Sequence, residues 1–170
     1  IREYRLNEYM SASIEKIEFN KNTGVLDVYI NEGKVSDVEI VGNNTTLGSI
    51  IRREFPSVPG NYLLTSEFIK NLENLSATDL FDNIVVELQY VDASSKKLKL
   101  SLDEKIPNVL RFGLRIDNEN FTQAAVDLRN ENLFGSGSEL GLSIAGGTRN
   151  MSYVVEHKTN RIFNTYLTYK

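Results

Sequence analysis

The sequence predicts an α+β chain. A strand-helix-helix-strand-strand module is preceded by a half module or hairpin and followed by antiparallel strands. Three observations carry this. Two stretches with a helical apolar stripe, residues 45–55 and 65–75, lie between runs that read as strands. Turn signals, Gly42-Asn43, Pro56 and Pro59-Gly60, separate them. From Val109 onward the texture changes to strict alternation, large apolar against small or charged residues.

The elements follow in chain order. Residues 1–10, with Ile1, Tyr4 and Tyr9 as apolar marks, end a helix. Ile14, Ile17 and Phe19, then Asn20–Gly24, then Leu26, Val28 and Ile30 form a hairpin with a Gly-containing turn. Val35, Val38 and Ile40 make a strand closed by Gly42-Asn43, residues that tolerate positive φ. Leu47, Ile50, Ile51 and Phe55 stripe the first helix, with Thr45 or Thr46 as N-cap, and Pro56 stops it. Thr65 or Ser66 caps the second, whose apolar face is Phe68, Ile69, Leu72 and Leu75. Ile84–Val91 is a β-branched strand, Asp92–Ser95 a turn, and Leu98, Leu100 and Leu102 alternate in the next strand. The expected core is Val38, Ile40, Ile51, Phe55, Phe68, Leu72, Leu80, Phe81, Val86, Leu98 and Leu100.

In the last sixty residues Leu110, Phe112, Leu114 and Ile116 alternate with Arg111, Gly113, Arg115 and Asp117. Leu140, Leu142 and Ile144 alternate with Gly141, Ser143 and Ala145, and Phe163, Leu167 and Tyr169 mark a strand over 162–170. This is the dyad of a membrane barrel strand, apolar to lipid and small or polar to the lumen, although a water-soluble sandwich also alternates. Spanning strands need about 9–11 residues each and the smallest barrels have about eight strands. This region holds four or five, so by itself it cannot close a barrel. The chain reads as an excerpt of a larger protein, an expectation that Ile1-Arg-Glu-Tyr-Arg5, without an initiator Met or a signal pattern, shares.

Composition narrows the function classes. The 170 residues are 25% charged and 41% hydrophobic, an ordinary globular balance. A net charge of −4 without a basic run gives no support for nucleic-acid binding. Cysteine is absent, which excludes disulfides and thiolate metal sites. No apolar run approaches the ~18 residues of a spanning helix.

Nothing in the sequence assembles a catalytic site, a metal site or a cofactor site. Gly141-Leu-Ser-Ile-Ala145 ends in Ala where a nucleophile elbow needs Gly, and no helix pattern follows it. His157 is the sole histidine and has no companion ligand. Asp79, Asp82 and Asp117 are scattered at turns, and Gly135-x-Gly137 opens no helix.

The motifs narrow the fold further. Glu32-Gly33, Val38-x-Ile40-x-Gly42-Asn43, Thr46, Ile50-Ile51-Arg52, Gly60, Leu75, Leu80-Phe81 and Leu98-x-Leu100-x-Leu102-x-Glu104 together resemble the POTRA (polypeptide-transport-associated) domain. Tyr4-x-x-x-Glu8-Tyr9 resembles the end of a preceding repeat, with Glu8 where the family has Gly. Arg129-Asn-Glu-Asn-Leu-Phe-Gly-Ser-Gly137 resembles the turn after the second barrel strand of the BamA/TamA outer-membrane superfamily. The resemblance implies three segments: 1–32, the end of a POTRA-like repeat or a linker hairpin; 33–106, a POTRA domain; and 107–170, the first strands of an incomplete barrel.

It also implies a function. A Gram-negative outer-membrane location is expected, with the POTRA part in the periplasm and Leu140, Leu142 and Ile144 facing lipid. The strand after the second helix would offer its edge, Ile84, Val86, Leu88 and Tyr90, to a polypeptide client or an upstream domain by β-augmentation, unless that edge is merely solvated and blunted by Glu87. Arg53-Glu-Phe-Pro56, Asn74–Phe81 and Glu104-Lys-Ile-Pro with Leu110–Asp117 look most like the carboxyl-terminal part of bacterial patatin-like phospholipases. The first expectation is therefore a non-catalytic segment anchoring an upstream phospholipase domain. The alternative is a segment of an outer-membrane assembly or secretion factor. Self-association of the fragment through its uncovered strands is expected either way.

Overall fold

The computed structural model describes residues 1–56, 59–91, 96–117, 121–161, 165 and 167–170. In order the elements are α1 (Arg2–Leu6), β1 (Ser13–Asn20), β2 (Val25–Asn31), β3 (Val35–Val41), α2 (Gly48–Glu54), α3 (Thr65–Ser76), β4 (Phe81–Tyr90) and β5 (Lys96–Glu104). Then come β6 (Asn108–Asp117), β7 (Phe121–Leu133), β8 (Ser138–Gly147) and β9 (Met151–Thr159). They form three sheets: β1-β2, then β3-β5-β4 with β3 and β5 parallel, then the antiparallel β6-β7-β8-β9. The predicted α+β order is therefore present, with an open four-stranded sheet after it.

Two units group the residues. The first comprises Ile1–Gly42, Glu54–Ala77 and Asn83–Asp103; the second comprises Asn43–Arg53, Thr78–Asp82 and Glu104–Lys170.

In the first unit the strict alternation of β5 sets the core. Lys96, Leu98, Leu100 and Leu102 lie on one face and are all buried. Val35, Phe55, Leu63 and Leu75 are buried as well, and Phe55 meets Phe68 edge to face at 5.9 Å. The expected core residues Val38, Ile40, Phe68, Leu72 and Val86 are only half-buried. Leu75, one helical turn beyond Leu72, takes the fully buried place, and Ile69 is 49% exposed. The face of α3 is thus narrower than its apolar composition.

Lys96 is a charged residue inside this core, where Ser11 and Glu54 are also buried. Its side chain is fully buried, its ammonium donates to the Ser11 carbonyl and, at 3.3 Å, to the Ser13 hydroxyl, and it lies 5.3 Å from the Tyr90 ring centre. Burial pushes its pKa down. Charge alone would have placed this lysine in solvent. The period of two puts it with Leu98, Leu100 and Leu102.

Two cap assignments are corrected. α3 has Leu64 at its N-cap without a side-chain cap; Thr65 donates its hydroxyl to the Glu8 carbonyl at 3.2 Å, and Ser66 donates to the Glu8 carboxylate. α2 begins at Gly48, one or two residues after the start that a Thr46 or Thr45 cap would give, because Thr45 and Thr46 are held elsewhere, as described below. Gly42 has φ +94, so the expected turn conformation is present there.

Residues 92–95, expected as a turn, lie outside the described residues. So do 162–164 and 166 of the strand expected over 162–170; in the remainder, Tyr169 bridges antiparallel to Thr159.

Candidate functional site

Within the four-stranded sheet, register decides which side chains share a face. Leu110, Leu128, Leu142 and Val155 form one row across the strands, and Phe112, Val126, Ile144 and Tyr153 form the next. This face is apolar and open: Phe112 is 75% exposed, Leu114 83% and Val155 72%. Leu140, at the end next to the β7–β8 turn, and Leu142, opposite Val155, are exposed, while Ile144 is half-buried. A patch of this kind in contact with water is an interaction surface or a liability.

The opposite face is polar. Arg129 on β7 donates to Asp127 at 3.2 Å, to Glu156 on β9 at 3.0 Å, and to Glu139. Arg111 on β6 reaches Asp127 at 3.6 Å and Glu131 at 3.3 Å. Gly141 is paired with Arg129 in register and leaves the room its guanidinium occupies, since a Cβ there would lie 3.1 Å from Cζ. One arginine thus ties β7, β8 and β9 through three carboxylates. Ser143 donates to Asp127, whose carboxylate is already engaged by two arginines and is a poor general base. His157 aligns with Leu140 on the apolar side, 6.0 Å from the Tyr169 ring, and so does not face Ser143. Among the described residues no three His, Cys, Asp or Glu side chains come together as a metal site, and no helix is long and apolar enough to cross a membrane, which says nothing about strands.

The second unit also contains a junction that the sequence did not reveal. The Glu104 carboxylate accepts the backbone N–H groups of Thr45 at 2.8 Å and Thr46 at 2.6 Å. Burial pushes this carboxyl up. Hydrogen bonds from the Thr46 hydroxyl and from the N–H groups of Thr46, Thr45 and Asn44 outweigh burial and hold it below its ordinary value. The Thr46 hydroxyl also accepts the buried Asn132 amide at 2.9 Å, and Leu47 N–H donates to the Gly135 carbonyl at 3.0 Å. Gly135, at φ +71, lies against the Thr45 carbonyl so closely that a Cβ would overlap it. The Leu-Phe-Gly-Ser-Gly turn is therefore shaped to seat loop 43–47. Between β5 and β6, Lys105 N–H donates to the Leu80 carbonyl at 3.0 Å and Glu131 N–H to the Pro107 carbonyl at 2.8 Å.

In the three-stranded sheet β4 is an outer strand, and among the described residues no strand pairs with its outer side. The other outer strand, β3, is covered at its start: Val35 exchanges backbone hydrogen bonds with Gly60 at 2.6 Å and Asn61 at 3.0 Å. On β4, Ile84, Val86 and Leu88 are half-buried, whereas Tyr90 is 68% exposed. Val85, Glu87 and Gln89 are the exposed side chains that flank the free backbone.

No family profile matches the sequence. The outer membrane protein assembly factor BamA of Neorickettsia risticii (strain Illinois) is 21% identical over 135 residues, 79% of this chain and 18% of its own length. Several solved structures share the fold. BamA from Haemophilus ducreyi lacking POTRA domains 1–3 gives a TM-score of 0.73 at 18% identity, over 95% of this chain and 32% of that one. CdiB from Escherichia coli gives 0.61 at 14% identity, over 92% of this chain and 30% of that one. The chain thus spans about a fifth of the curated relative and about a third of each solved structure. Its fold is that of a POTRA module running into the strands of a BamA-type β-barrel.

Proposed function

We propose that this chain is the junction segment of an outer-membrane protein of the assembly or secretion type. Its POTRA module lies in the periplasm and its four-stranded sheet lies in the outer membrane as part of a barrel. It performs no chemistry. It positions the module at the bilayer, and the free edge of β4 pairs with an extended segment of a client polypeptide or a neighbouring domain. The exposed apolar face of β6–β9, opposed by the paired charges around Arg129, carries the reading: a water-soluble sheet would cover that face. For the β4 edge the support is its unpaired outer side, where backbone N–H and C=O groups can continue the ladder. Client contacts then fall on Val85, Glu87 and Gln89, with Ile84, Val86 and Leu88 turned to the module and Tyr90 at the strand end.

The narrower expectation of a phospholipase anchor has its short motifs in support. Vesicle flotation tests the proposal. The chain should float with phospholipid vesicles and carry along a labelled extended peptide of alternating apolar and polar residues. The same peptide methylated at every second backbone nitrogen should stay behind. A chain that remains in the dense fraction removes the membrane assignment, and equal capture of the methylated peptide removes strand pairing.

A further inference from the structure

Phe134 combines two properties that turns ordinarily keep apart. Its backbone is left-handed, φ +52, where a side chain with a Cβ is disfavoured and Gly or Asn is the usual occupant. Its side chain is 88% exposed, so almost no contact within this chain offsets the strain. The conformation is imposed by its neighbours. Gly135 N–H donates to the Asn132 carbonyl and Ser136 N–H to the Leu133 carbonyl, each at 3.0 Å. Gly137 N–H donates to the Asn132 side chain at 2.9 Å, and Asn132 is itself fixed to Thr46. The turn therefore holds an aromatic ring outward on a rigid support, at a position where glycine would be unstrained.

Its place on the hairpin indicates what the ring meets. Leu133 pairs with Ser138 at the foot of β7 and β8, and Leu140, the first side chain of the apolar face on β8, is two residues above Ser138. At about 3.4 Å per residue the turn begins roughly 7 Å beyond Leu140. The polar layer on each side of a bilayer's hydrocarbon core is about 5–8 Å deep. At this same end the apolar face gives way to Asn108, Asn130 and His157, aligned in register with Leu140. Ile106, two residues before Asn108, is 81% exposed.

We propose that Phe134, assisted by Ile106, is a membrane-interface anchor whose ring enters the headgroup–acyl boundary of the leaflet at the turn end of β7–β8. The proposal rests on the lipid assignment of the apolar face, with which this site is continuous, and that continuity favours lipid over a protein partner.

The chain contains no tryptophan, so Phe134→Trp and, separately, Leu142→Trp each install a sole indole emitter. Both full chains are reconstituted into phosphatidylethanolamine–phosphatidylglycerol vesicles carrying lipids brominated near the headgroup or deep in the acyl chain. The indole at 134 should be quenched more by the shallow bromines, and the indole at 142 more by the deep ones. Quenching at 142 but not at 134, with position 134 open to aqueous acrylamide, overturns the anchor and leaves the lipid face standing. Absence of bromine quenching at both overturns both. Shielding of position 134 from acrylamide without bromine quenching means burial against a second copy, and also overturns the anchor. Phe134→Gly, which relieves the backbone, should lower vesicle flotation while leaving the thermal midpoint unchanged or raised; undiminished flotation counts against the anchor.

Discussion

The Glu104 carboxylate gathers donors from residues 44–46, and its loss should be felt in stability rather than in chemistry. Glu104→Gln replaces charge-assisted hydrogen bonds with neutral ones and should cost about 1.5–3 kcal/mol in a urea titration near neutral pH. Because the folded carboxyl titrates below its unfolded value of about 4.3, its contribution is fully present above that pH and disappears as pH falls through the folded value. The gap between wild type and Glu104→Gln should therefore close on acidification; a gap that persists in strong acid would show that the charge is not what Thr45 and Thr46 recognise. Ser143 leads to a different expectation. Its one described acceptor is a doubly paired Asp127, so purified chain should show no hydrolysis of a fluorogenic ester, and activity lost in Ser143→Ala would refute the non-catalytic reading. Residues of this kind were hard to read in advance. Thr46 looks like a helix cap, but its partners are 58 and 86 residues away. Lys96 looks like a surface charge, although spacing alone aligned it with three buried leucines.

At the scale of elements, local pattern was a good guide wherever local interactions decide the outcome. The 3.6-residue stripe places α3 to within a residue or so, and alternation places β5, β6, β8 and most of β4, whose start lies three residues before Ile84; β7 is reached only through the turn that follows it, and no strand is expected over Met151–Thr159. It failed at the start of α2, where the junction with Asn132 and Gly135 overrides helix propagation. It also overstated the core, since composition cannot say which apolar residue on a helix face is covered. A mutation pair measures the difference. Leu75→Ala should cost about 2–5 kcal/mol as a fully buried leucine, and Ile69→Ala less than about 0.5 kcal/mol. Equal losses in denaturant titrations would mean that α3 docks by another face.

At the scale of the whole molecule, two apolar surfaces stand uncovered among the described residues. One is the face of β6–β9. The other is on the β1-β2 hairpin, where Ile17 opposes Val28 and Phe19 opposes Leu26, all exposed. In detergent-free buffer the chain should self-associate, and detergent micelles should disperse it, as light scattering would show. A monodisperse monomer without detergent would mean that the face of β6–β9 tolerates water, and the bilayer assignment would fall.

The connectivity of the last sheet has a kinetic consequence. Each of β6, β7, β8 and β9 pairs with its immediate successor in the chain, so every pairing closes a short loop. The parallel pairing of β3 with β5 must instead bring together residues some sixty positions apart, such as Val38 and Leu98. Low separation favours speed. The four-stranded sheet can therefore grow by adding one strand at a time to a single advancing edge, in the direction in which the chain is synthesised. Pulse-labelled hydrogen exchange should find the β7–β8 amides protected before those of β3. At each stage the last strand added is the template for the next.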